Sequence, residues 1–440
     1  MERIRSYRAQ LYAHVRSHWE SKSTPWITQL CGKSGMGKTT LARSYLEAFD
    51  GEYFSLRNLD AAFAPQIFLS GCKLWKDFFA KIGKTKNRPV IFFDDMDDKN
   101  DKEEFLNALP ALAGKAYVVL IVRTKMELPF PSDIIQMKAI TVPMLLAENK
   151  ALEPLDALRT IAITDGIPEL VRLFDFQKSF AENLPSLFVH DSAYFRHAES
   201  ELRRNFRTPE TYNILLYGMA TGYNRISQLS EFSGFPQNKC DKYLKALDKA
   251  GLLETEQRKD AAGHIRTHYY PKGGYWKTWF RYVFPSQGRY LEAQKGEALQ
   301  QLADEIDRTI VAEYFKKICW NWLEKNYHSC YWDGFLKFDD PKNRDVVVNR
   351  VRFDYVQTTK DHTIYVKIWD NVREGFPKEA FQKIEAATTL VHPFYDNIYY
   401  LFSAGRACNY VEELRHLDAV AVVDLKSLTG AKNTELFEVL

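Results

Sequence analysis

Eight residues of the chain, 32–39, have the composition and spacing of a phosphate-binding loop. They read Gly-Lys-Ser-Gly-Met-Gly-Lys-Thr and match G-x-x-x-x-G-K-[ST], the Walker A pattern, at every fixed position. Glycines let such a loop adopt backbone angles that are closed to other residues, so that successive N–H groups can point at one phosphate. The helix that follows presents its first N–H groups to the same anion. The residues expected to contact ATP are therefore Gly32, Lys33, Ser34, Gly35, Met36, Gly37, Lys38, Thr39 and Thr40.

The residues around this loop supply the context that the pattern requires. An apolar, strand-like run at 26–31 precedes it, and a helix-like run at 40–46 follows it. Within the pattern, the Lys38 ammonium is expected to reach the β- and γ-phosphates, and the Thr39 hydroxyl to ligate Mg²⁺. The alternative is a glycine-rich turn that binds nothing, which the complete match and both flanks disfavour. The sequence predicts a site for ATP with Mg²⁺.

A second short apolar run, within residues 88–98, ends in acidic side chains. This pattern is typical of a buried parallel strand whose carboxyl end opens onto a ligand crevice. Asp94 comes directly after the apolar residues and is the expected Walker B acid, holding Mg²⁺ directly or through water. Asp95 occupies the position where many such ATPases carry a Glu that orients the attacking water. Because Asp is one methylene shorter, we expect slow hydrolysis; Asp97 and Asp98 are interpreted as a solvated turn.

A third apolar run, residues 116–122, is followed by Arg123 and Thr124. Related ATPases place a polar residue that senses the γ-phosphate at the end of the strand beside Walker B. Arg123 or Thr124 is the candidate for that role, and Arg123 could instead act as an arginine finger. The alternative for Arg123 is a structural charge at a strand end. The expected catalytic set is Lys38, Asp94, Asp95 and Arg123.

The composition sets outer limits on the class of protein. The chain has 440 residues, of which 45% are hydrophobic and 14% aromatic, so it is long enough for more than one packed domain. Its net charge of +3 is near neutral, and any nucleic-acid contact must come from a local basic face. The six cysteines show no zinc-binding spacing, and no apolar run approaches the length of a membrane span. These features predict a cytoplasmic protein with no membrane partner.

A winged helix is predicted after a helical stretch. Helices are expected at 208–219, 225–232 and 237–247, followed by a strand from 251, a wing loop through 263 and a returning strand at 267–270. The third helix occupies the recognition position. Lysines at spacings of three and four share one of its faces and are the candidate contacts to DNA phosphates: Lys239, Lys242 and Lys245. A solvated helix face that binds no DNA is the alternative.

Taken in order, these motifs resemble a known family. Walker A, the acidic strand end, the tripeptide Gly166-Ile167-Pro168 and a winged helix ending in aromatic residues at 275–283 are similar to the archaeal-type ATPases of the STAND class, relatives of AAA+ proteins. The resemblance covers nearly the whole chain. It implies that Gly166 and Pro168 lie near the nucleotide and couple its state to domain arrangement, the alternative being a helix-breaking turn. Many members are switches that hydrolyse ATP slowly, in agreement with Asp95.

The same resemblance implies a restriction-endonuclease-like domain at the carboxy-terminal end. Such domains carry an acid on one strand and E-x-K on the next. Asp354, in the strand-like run 351–356, and Lys367, in the run 363–369, fit that pattern, but Tyr365 stands where the second acid belongs. Because Mg²⁺-dependent cleavage needs clustered oxygen ligands, we expect a degenerate site at Asp354 and Lys367. Glu313 is a further carboxylate that the sequence does not place.

The resulting expectation is an α/β protein with a P-loop NTPase parallel-sheet core, followed by a helical region, a winged helix and an α/β nuclease-like domain. Three functions stay open: an ATP-dependent switch that binds double-stranded DNA or a protein partner, an ATP-driven nuclease, and a winged-helix regulator with structural ATP. The acidic strand end favours the first over the third, and Tyr365 argues against the second. Oligomers are compatible with all three. The expected divisions are 1–145 (ATPase core), 146–205 (helical, with G-x-P), 206–285 (winged helix) and 286–440 (nuclease-like).

Overall fold

The structure is a computed structural model of the chain. Its backbone forms two compact units, one of residues 1–139, 167–169 and 435–440 and the other of residues 140–166 and 170–434. The residues that it describes are 12–14, 16–17, 25–57, 59, 63–69, 71–82, 89–96, 102–189, 191–259, 264–286, 297–326, 343–358, 362–391, 397–414, 417, 419–429 and 437–439. Asp97 and Asp98, most of the amino-terminal segment and the wing loop at 260–263 lie outside the described residues.

The first unit is built on a parallel β-sheet. Its strands are β1 (Ile27–Cys31), β2 (Gly51–Ser55), β3 (Val90–Asp94), β4 (Tyr117–Val122), β5 (Asp133–Met137) and, from the carboxy-terminal end, β13 (Phe437–Val439). They lie in the order β13-β5-β1-β4-β3-β2. The pairings among β1 to β5 are all parallel, whereas β13 is antiparallel to β5.

Both faces of this sheet are covered, which explains the continuous apolar runs in its strands. Along β4, Val118 and Leu120 pack into one hydrophobic cluster, and Val119 and Ile121 into the cluster on the other side. The helix α1 (Lys38–Leu46) covers the second side through its buried residues Leu41, Ala42 and Tyr45. The first side is covered by residues of α3 and α4, in the series α2 (Ala64–Phe68), α3 (Trp75–Ile82), α4 (Lys102–Ala108) and the 3₁₀ turn Leu109–Leu112.

Short helices follow the first sheet in the chain. They are α5 (Val142–Glu148), α6 (Pro154–Thr164), α7 (Pro168–Val171), α8 (Phe180–Asn183), a 3₁₀ turn (Leu184–Phe188) and α9 (Ala193–Asn205). The helix α6 begins with proline, whose fixed φ and missing N–H suit a first helical position. This is the helical region that the sequence predicted.

Three helices and a β-hairpin then occupy the part of the second unit where the winged helix is predicted. They are α10 (Pro209–Ala220), α11 (Ile226–Ser233), α12 (Gln237–Lys249), β6 (Leu253–Lys259) and β7 (Ile265–Pro271). The two strands pair antiparallel along their whole length. In α12, Cys240, Leu244 and Leu247 are buried at helical spacing. That pattern leaves the opposite face of α12 to polar residues.

A mixed five-stranded sheet completes the second unit. Its strands are β8 (Arg344–Val348), β9 (Val351–Thr358), β10 (Thr363–Ile368), β11 (Asn397–Ser403) and β12 (Val420–Asp424), in the order β12-β11-β10-β9-β8. The pairs from β8 to β10 are antiparallel and those from β10 to β12 are parallel. The helices of this part are α13 (Gly273–Thr278) with a π-helical turn (Trp279–Val283), α14 (Glu297–Ile306) with another (Asp307–Val311), α15 (Ala312–Asn326), α16 (Lys378–Thr389), α17 (Asn409–Glu413) and α18 (Leu425–Thr429).

The α/β class, the parallel sheet core, the helical region and the second, carboxy-terminal sheet are therefore as predicted. One element was not expected. The strand β13 pairs with the edge strand β5, so the last residues of the predicted nuclease-like segment belong to the first sheet. The predicted domain boundaries stay predictions. Within the described ranges, no helix is both long and apolar enough to cross a membrane.

Candidate nucleotide site

The predicted phosphate loop connects the end of β1 to the start of α1. Gly35 and Gly37 have φ angles of 75° and 88°, a backbone region that favours glycine. The Gly32 N–H donates to the Val122 carbonyl at 3.2 Å, which ties the loop to the end of β4. The Lys38 ammonium donates to the Gly32 carbonyl and, at 2.9 Å, to the Lys33 carbonyl. The side chain of Lys38 thus lies across the loop.

The two predicted metal ligands are in direct contact. Thr39, the second residue of α1, donates its hydroxyl hydrogen to Oδ2 of Asp94 over 2.5 Å. Asp94 is the last residue of β3 and is only 5% exposed. The contact joins the loop-to-helix segment to the acidic strand end across 55 residues of sequence.

The carboxylate of Asp94 is also held by two groups that the sequence did not single out as donors. The Tyr53 hydroxyl donates to the same Oδ2 atom at 2.6 Å, and the Asp95 N–H donates to Oδ1 at 2.8 Å. Burial, reinforced by the hydrogen bond to Asp94, raises the pKa of Tyr53 above its ordinary value. The phenol therefore stays a protonated donor at neutral pH. Both oxygens of Asp94 are oriented by hydrogen bonds.

Asp95 has an unusual backbone and a defined partner. Its φ of 61° is left-handed, a region that Asp tolerates better than most residues other than glycine. The Ser55 hydroxyl donates to Oδ2 of Asp95 at 3.1 Å. Non-glycine residues in this backbone region cluster at functional sites, and here the residue follows the buried Asp94.

Tyr53 and Ser55 reach the acids because β2 is the neighbour of β3. The parallel register places Tyr53 opposite Phe92 and Ser55 opposite Asp94. In the sequence, the only signal is a polar residue on each side of Phe54 in a five-residue strand. That alternation indicates a strand, but it does not say which strand lies beside it.

The residues present fit a magnesium ion. Thr39 and Asp94 offer a hydroxyl and a carboxylate oxygen side by side, and oxygen is the ligand that Mg²⁺ prefers. In the part of the chain that the structure describes, the donors to Asp94 are neutral, so a cation would offset its buried charge. The same part contains no group of three or more His, Cys, Asp or Glu side chains that could hold a metal. Phosphate oxygens and water would have to complete the shell of the ion, as is usual for Mg²⁺.

Two further predicted positions can be placed relative to the loop. Arg123 is half-buried and directly follows Val122, whose carbonyl accepts from Gly32. Its role as sensor, finger or structural charge stays a prediction. The segment 167–169 also meets the loop: the Glu169 N–H donates to the Gly35 carbonyl at 3.2 Å, and a Cβ at Gly35 would lie 2.7 Å from the Ile167 side chain.

Gly166 itself contacts another part of the backbone. Its carbonyl accepts from the Ile140 N–H at 2.7 Å, its φ is 65°, and a Cβ there would lie 2.0 Å from the Ile140 carbonyl oxygen. Glycine is therefore required at this position for steric reasons. Pro168 is the first residue of α7. The structure thus brings the residues after Gly166 to the phosphate loop, whereas Gly166 packs against Ile140.

The three lysines predicted to meet DNA are all exposed on α12. The Lys239 ammonium lies 4.1 Å from the centre of the Phe235 ring. Lys245 forms an ion pair with Asp241 at 2.7 Å, although its side chain remains 76% exposed. An exposed ion pair of this kind contributes little to stability.

The predicted nuclease residues are not assembled into a metal site. Asp354 pairs with Lys316 at 3.1 Å and accepts from the Ile368 N–H at 2.8 Å, whereas the Lys367 ammonium donates to the Arg352 carbonyl at 2.9 Å. Tyr365 is 1% exposed, with its ring between those of Phe353 and Tyr399. The Glu313 carboxylate accepts from Lys277 and is 3.5 Å from Lys317. The carboxylates of Asp354 and Glu313 are thus engaged by different lysines.

Comparison with known protein families finds a match within the first unit. Residues 28–134 match the model of the family described as ATPase family associated with various cellular activities (AAA). This span contains the loop, Thr39, Tyr53, Asp94 and Asp95. No curated protein sequence matches the chain.

Similar solved structures include three from archaea. The Walker-type ATPase of Pyrococcus abyssi is 17% identical with a TM-score of 0.38, over 60% of this chain and 94% of that one. The Aeropyrum pernix ORC1 protein in complex with DNA is 11% identical with a TM-score of 0.38, over 66% and 94%. A STAND protein with a tetratricopeptide repeat sensor from Pyrococcus horikoshii is 15% identical with a TM-score of 0.27, over 69% and 48%. The family match applies to residues 28–134, and the contact between Thr39 and Asp94 lies within that span.

Proposed function

We propose that this protein is a Mg²⁺-dependent ATPase with slow turnover, which acts as a switch between nucleotide states. The observation that carries the proposal is the hydrogen bond between Thr39 and Asp94, because it joins the phosphate loop to the acidic strand end at one point. The residues proposed to bind ATP are those of the loop, 32–40, with Lys38 neutralising phosphate charge. Mg²⁺, when bound, would withdraw electron density from the phosphates; Thr39 and Asp94 would hold it.

Slow hydrolysis is proposed because of the position of Asp95. Its carboxylate is one methylene shorter than that of Glu and accepts from Ser55. A group that must orient a water molecule loses effectiveness when its reach falls short by even about 1 Å. Arg123 is proposed to sense or stabilise the γ-phosphate from the end of β4, next to the residue that anchors Gly32.

We further propose that nucleotide state is coupled to a partner through the G-x-P segment. The contacts of Ile167 and Glu169 with Gly35 support this, because a change in the loop would be felt at that segment. Gly166 and Pro168 flank Ile167 and would transmit the change. The proposed partner is double-stranded DNA, bound by the exposed lysines of α12: Lys239, Lys242 and Lys245.

The first experiment measures turnover of labelled ATP by the pure protein, with and without duplex DNA. DNA-stimulated turnover is the expected result. DNA fragments among the products would instead favour a nuclease, and ATP that stays bound without turnover would favour a regulator with structural ATP. If the protein hydrolyses ATP on its own and DNA does not change the rate, the partner would be a protein.

A second experiment tests the lysines of α12 directly. Changing Lys239, Lys242 and Lys245 to Ala should lower DNA affinity and flatten the log–log salt dependence by about 2–3 units, since each phosphate contact adds about 0.9. The control is Lys367→Ala in the carboxy-terminal sheet, which should leave the slope nearly unchanged. If the triple variant binds DNA as the parent does, these lysines form a solvated helix face.

A further inference from the structure

We infer that Tyr53 is a positioning residue for the metal: its phenol fixes the Asp94 carboxylate in the orientation that binds Mg²⁺. The inference rests on the proposed function and names a residue of the site that neither the Walker A nor the Walker B pattern contains. Tyr53 approaches Asp94 from β2, a neighbouring strand, and not from the loop or from β3.

The geometry gives the phenol a specific task. Thr39 and Tyr53 donate to the same atom, Oδ2 of Asp94, at 2.5 and 2.6 Å. The other oxygen, Oδ1, accepts the backbone N–H of Asp95. With the donors on both oxygens fixed, the carboxylate cannot rotate freely about its last bond. Thr39, which would itself bind the metal, keeps its place beside that oxygen.

The ring of Tyr53 is held from the side of α1. The Arg43 guanidinium lies 5.7 Å from the ring centre, and Arg43 is in the same helix as Thr39. The ring also packs against the hydrophobic cluster on that face of the sheet. The phenol is therefore preorganised, so that little entropy is lost when the site accepts its ion.

A second tyrosine of the same cluster, Tyr45, packs in the core without a hydrogen bond from its hydroxyl to a described residue. Tyr45 in α1 is buried, and its ring lies 5.5 Å from that of Phe92. Among the described residues, its hydroxyl has no hydrogen-bond partner. Tyr45→Phe and Tyr53→Phe each remove one phenolic hydroxyl from the first unit, but only Tyr53→Phe removes a donor to Asp94.

Metal binding and nucleotide binding can be measured separately. The affinity for ADP in the presence of a chelator reports on the loop, and the loss of the free Mn²⁺ signal in electron paramagnetic resonance, with ADP saturating, reports on the metal. For Tyr53→Phe we expect unchanged ADP affinity without metal, and Mn²⁺ binding weakened by about 10-fold or more, the usual result of removing a group that orients a metal ligand. Tyr45→Phe should match the parent in both measurements.

The outcomes distinguish this inference from the proposed function. If the parent binds ADP and Mn²⁺ and Tyr53→Phe binds both equally well, Tyr53 does not position Asp94 and only the inference fails. If the parent binds no nucleotide, or binds no metal beside it, the proposed function fails and the inference with it. A Tyr53→Phe variant that loses ADP affinity even without metal would show a structural role and would also overturn the inference.

Discussion

Replacing Asp94 by Asn is the sharpest test of the site, because the structure specifies how the amide would fit. The Asp95 N–H can only donate, so the oxygen of the Asn amide must take the place of Oδ1. Its NH₂ group then faces the hydroxyls of Thr39 and Tyr53, and a hydroxyl can turn to accept. All three hydrogen bonds can therefore be kept in the variant, although their character changes.

The expected energies follow from this exchange. Hydrogen bonds to a charged group contribute about 1.5–3 kcal/mol, and neutral ones about 0.5–1.5 kcal/mol, so part of the bonding to Asp94 is lost. The buried site is also relieved of a charge, which offsets that loss. We expect the stability of the first unit to change by less than about 1 kcal/mol, while hydrolysis falls by about 100-fold or more, equivalent to about 2.7 kcal/mol of barrier.

The assay compares ATP binding in a chelator with turnover over a range of Mg²⁺ concentrations. Asp94→Asn should bind ATP without metal about as tightly as the parent does, and should lose Mg²⁺-dependent turnover. Asp77→Asn, the same change at an exposed position of α3, is the matched control and should behave as the parent does. Normal hydrolysis by Asp94→Asn would refute the reasoning and would move the metal-binding role to another acid, first of all Asp95.

Three further results are expected. Lys38→Ala should abolish high-affinity ATP binding, measured by equilibrium binding, and leave the fold intact, because it removes the ammonium that lies across the phosphate loop. Gly166→Ala should lower the free energy of unfolding by about 1–3 kcal/mol more than the control Gly234→Ala, because both positions have φ near 70° but only the first Cβ meets a backbone oxygen. Burial alone would raise the pKa of Glu254, but the ammonium of Lys277, and after it that of Lys317, lowers that pKa below its ordinary value. The ionised Glu254 therefore stabilises the fold at neutral pH, and this contribution is lost as the pH falls below about 4.5. Lys277→Met should therefore lower the free energy of unfolding by about 3 kcal/mol at neutral pH and flatten the loss of stability in acid, measured by thermal unfolding.

Each of these results has an outcome that contradicts it. Parent-like ATP affinity in Lys38→Ala would remove the loop assignment, with the exposed Lys76→Ala as the control for a general change in charge. Equal destabilisation by the two glycine variants would mean that the contact with Ile140 relaxes without cost. An unchanged acid profile in Lys277→Met, compared with the exposed Lys272→Met, would show that Lys277 does not lower the pKa of Glu254.

Residues of the site that belong to a recognisable sequence motif, such as Thr39 and Asp94, could be predicted from the sequence. The spacing of the phosphate loop fixes the start of α1, and the apolar run fixes the end of β3, so the carboxyl ends of parallel strands bring Thr39 and Asp94 together. Tyr53 and Ser55 could not be predicted in the same way. Their contacts depend on β2 lying beside β3 in a particular register, and strand order is set by tertiary packing rather than by the composition of a five-residue strand.

In the carboxy-terminal sheet, the sequence pattern instead suggests a site that the folded chain does not assemble. The hairpin of β9 and β10 was predictable from alternation, and the two strands are indeed antiparallel neighbours. Sequence spacing alone would then suggest that Asp354 and Lys367 share one site. The partner of Asp354 is instead Lys316 on α15, which is remote in sequence and packs onto the sheet only in the folded chain. A carboxylate 10% exposed and already neutralised by an ammonium 3.1 Å away has less to gain from a metal ion than Asp94, whose described donors are all neutral. The two aspartates therefore differ in the charge of their neighbours, and this difference is the reason that we propose a metal ion at Asp94 and not at Asp354.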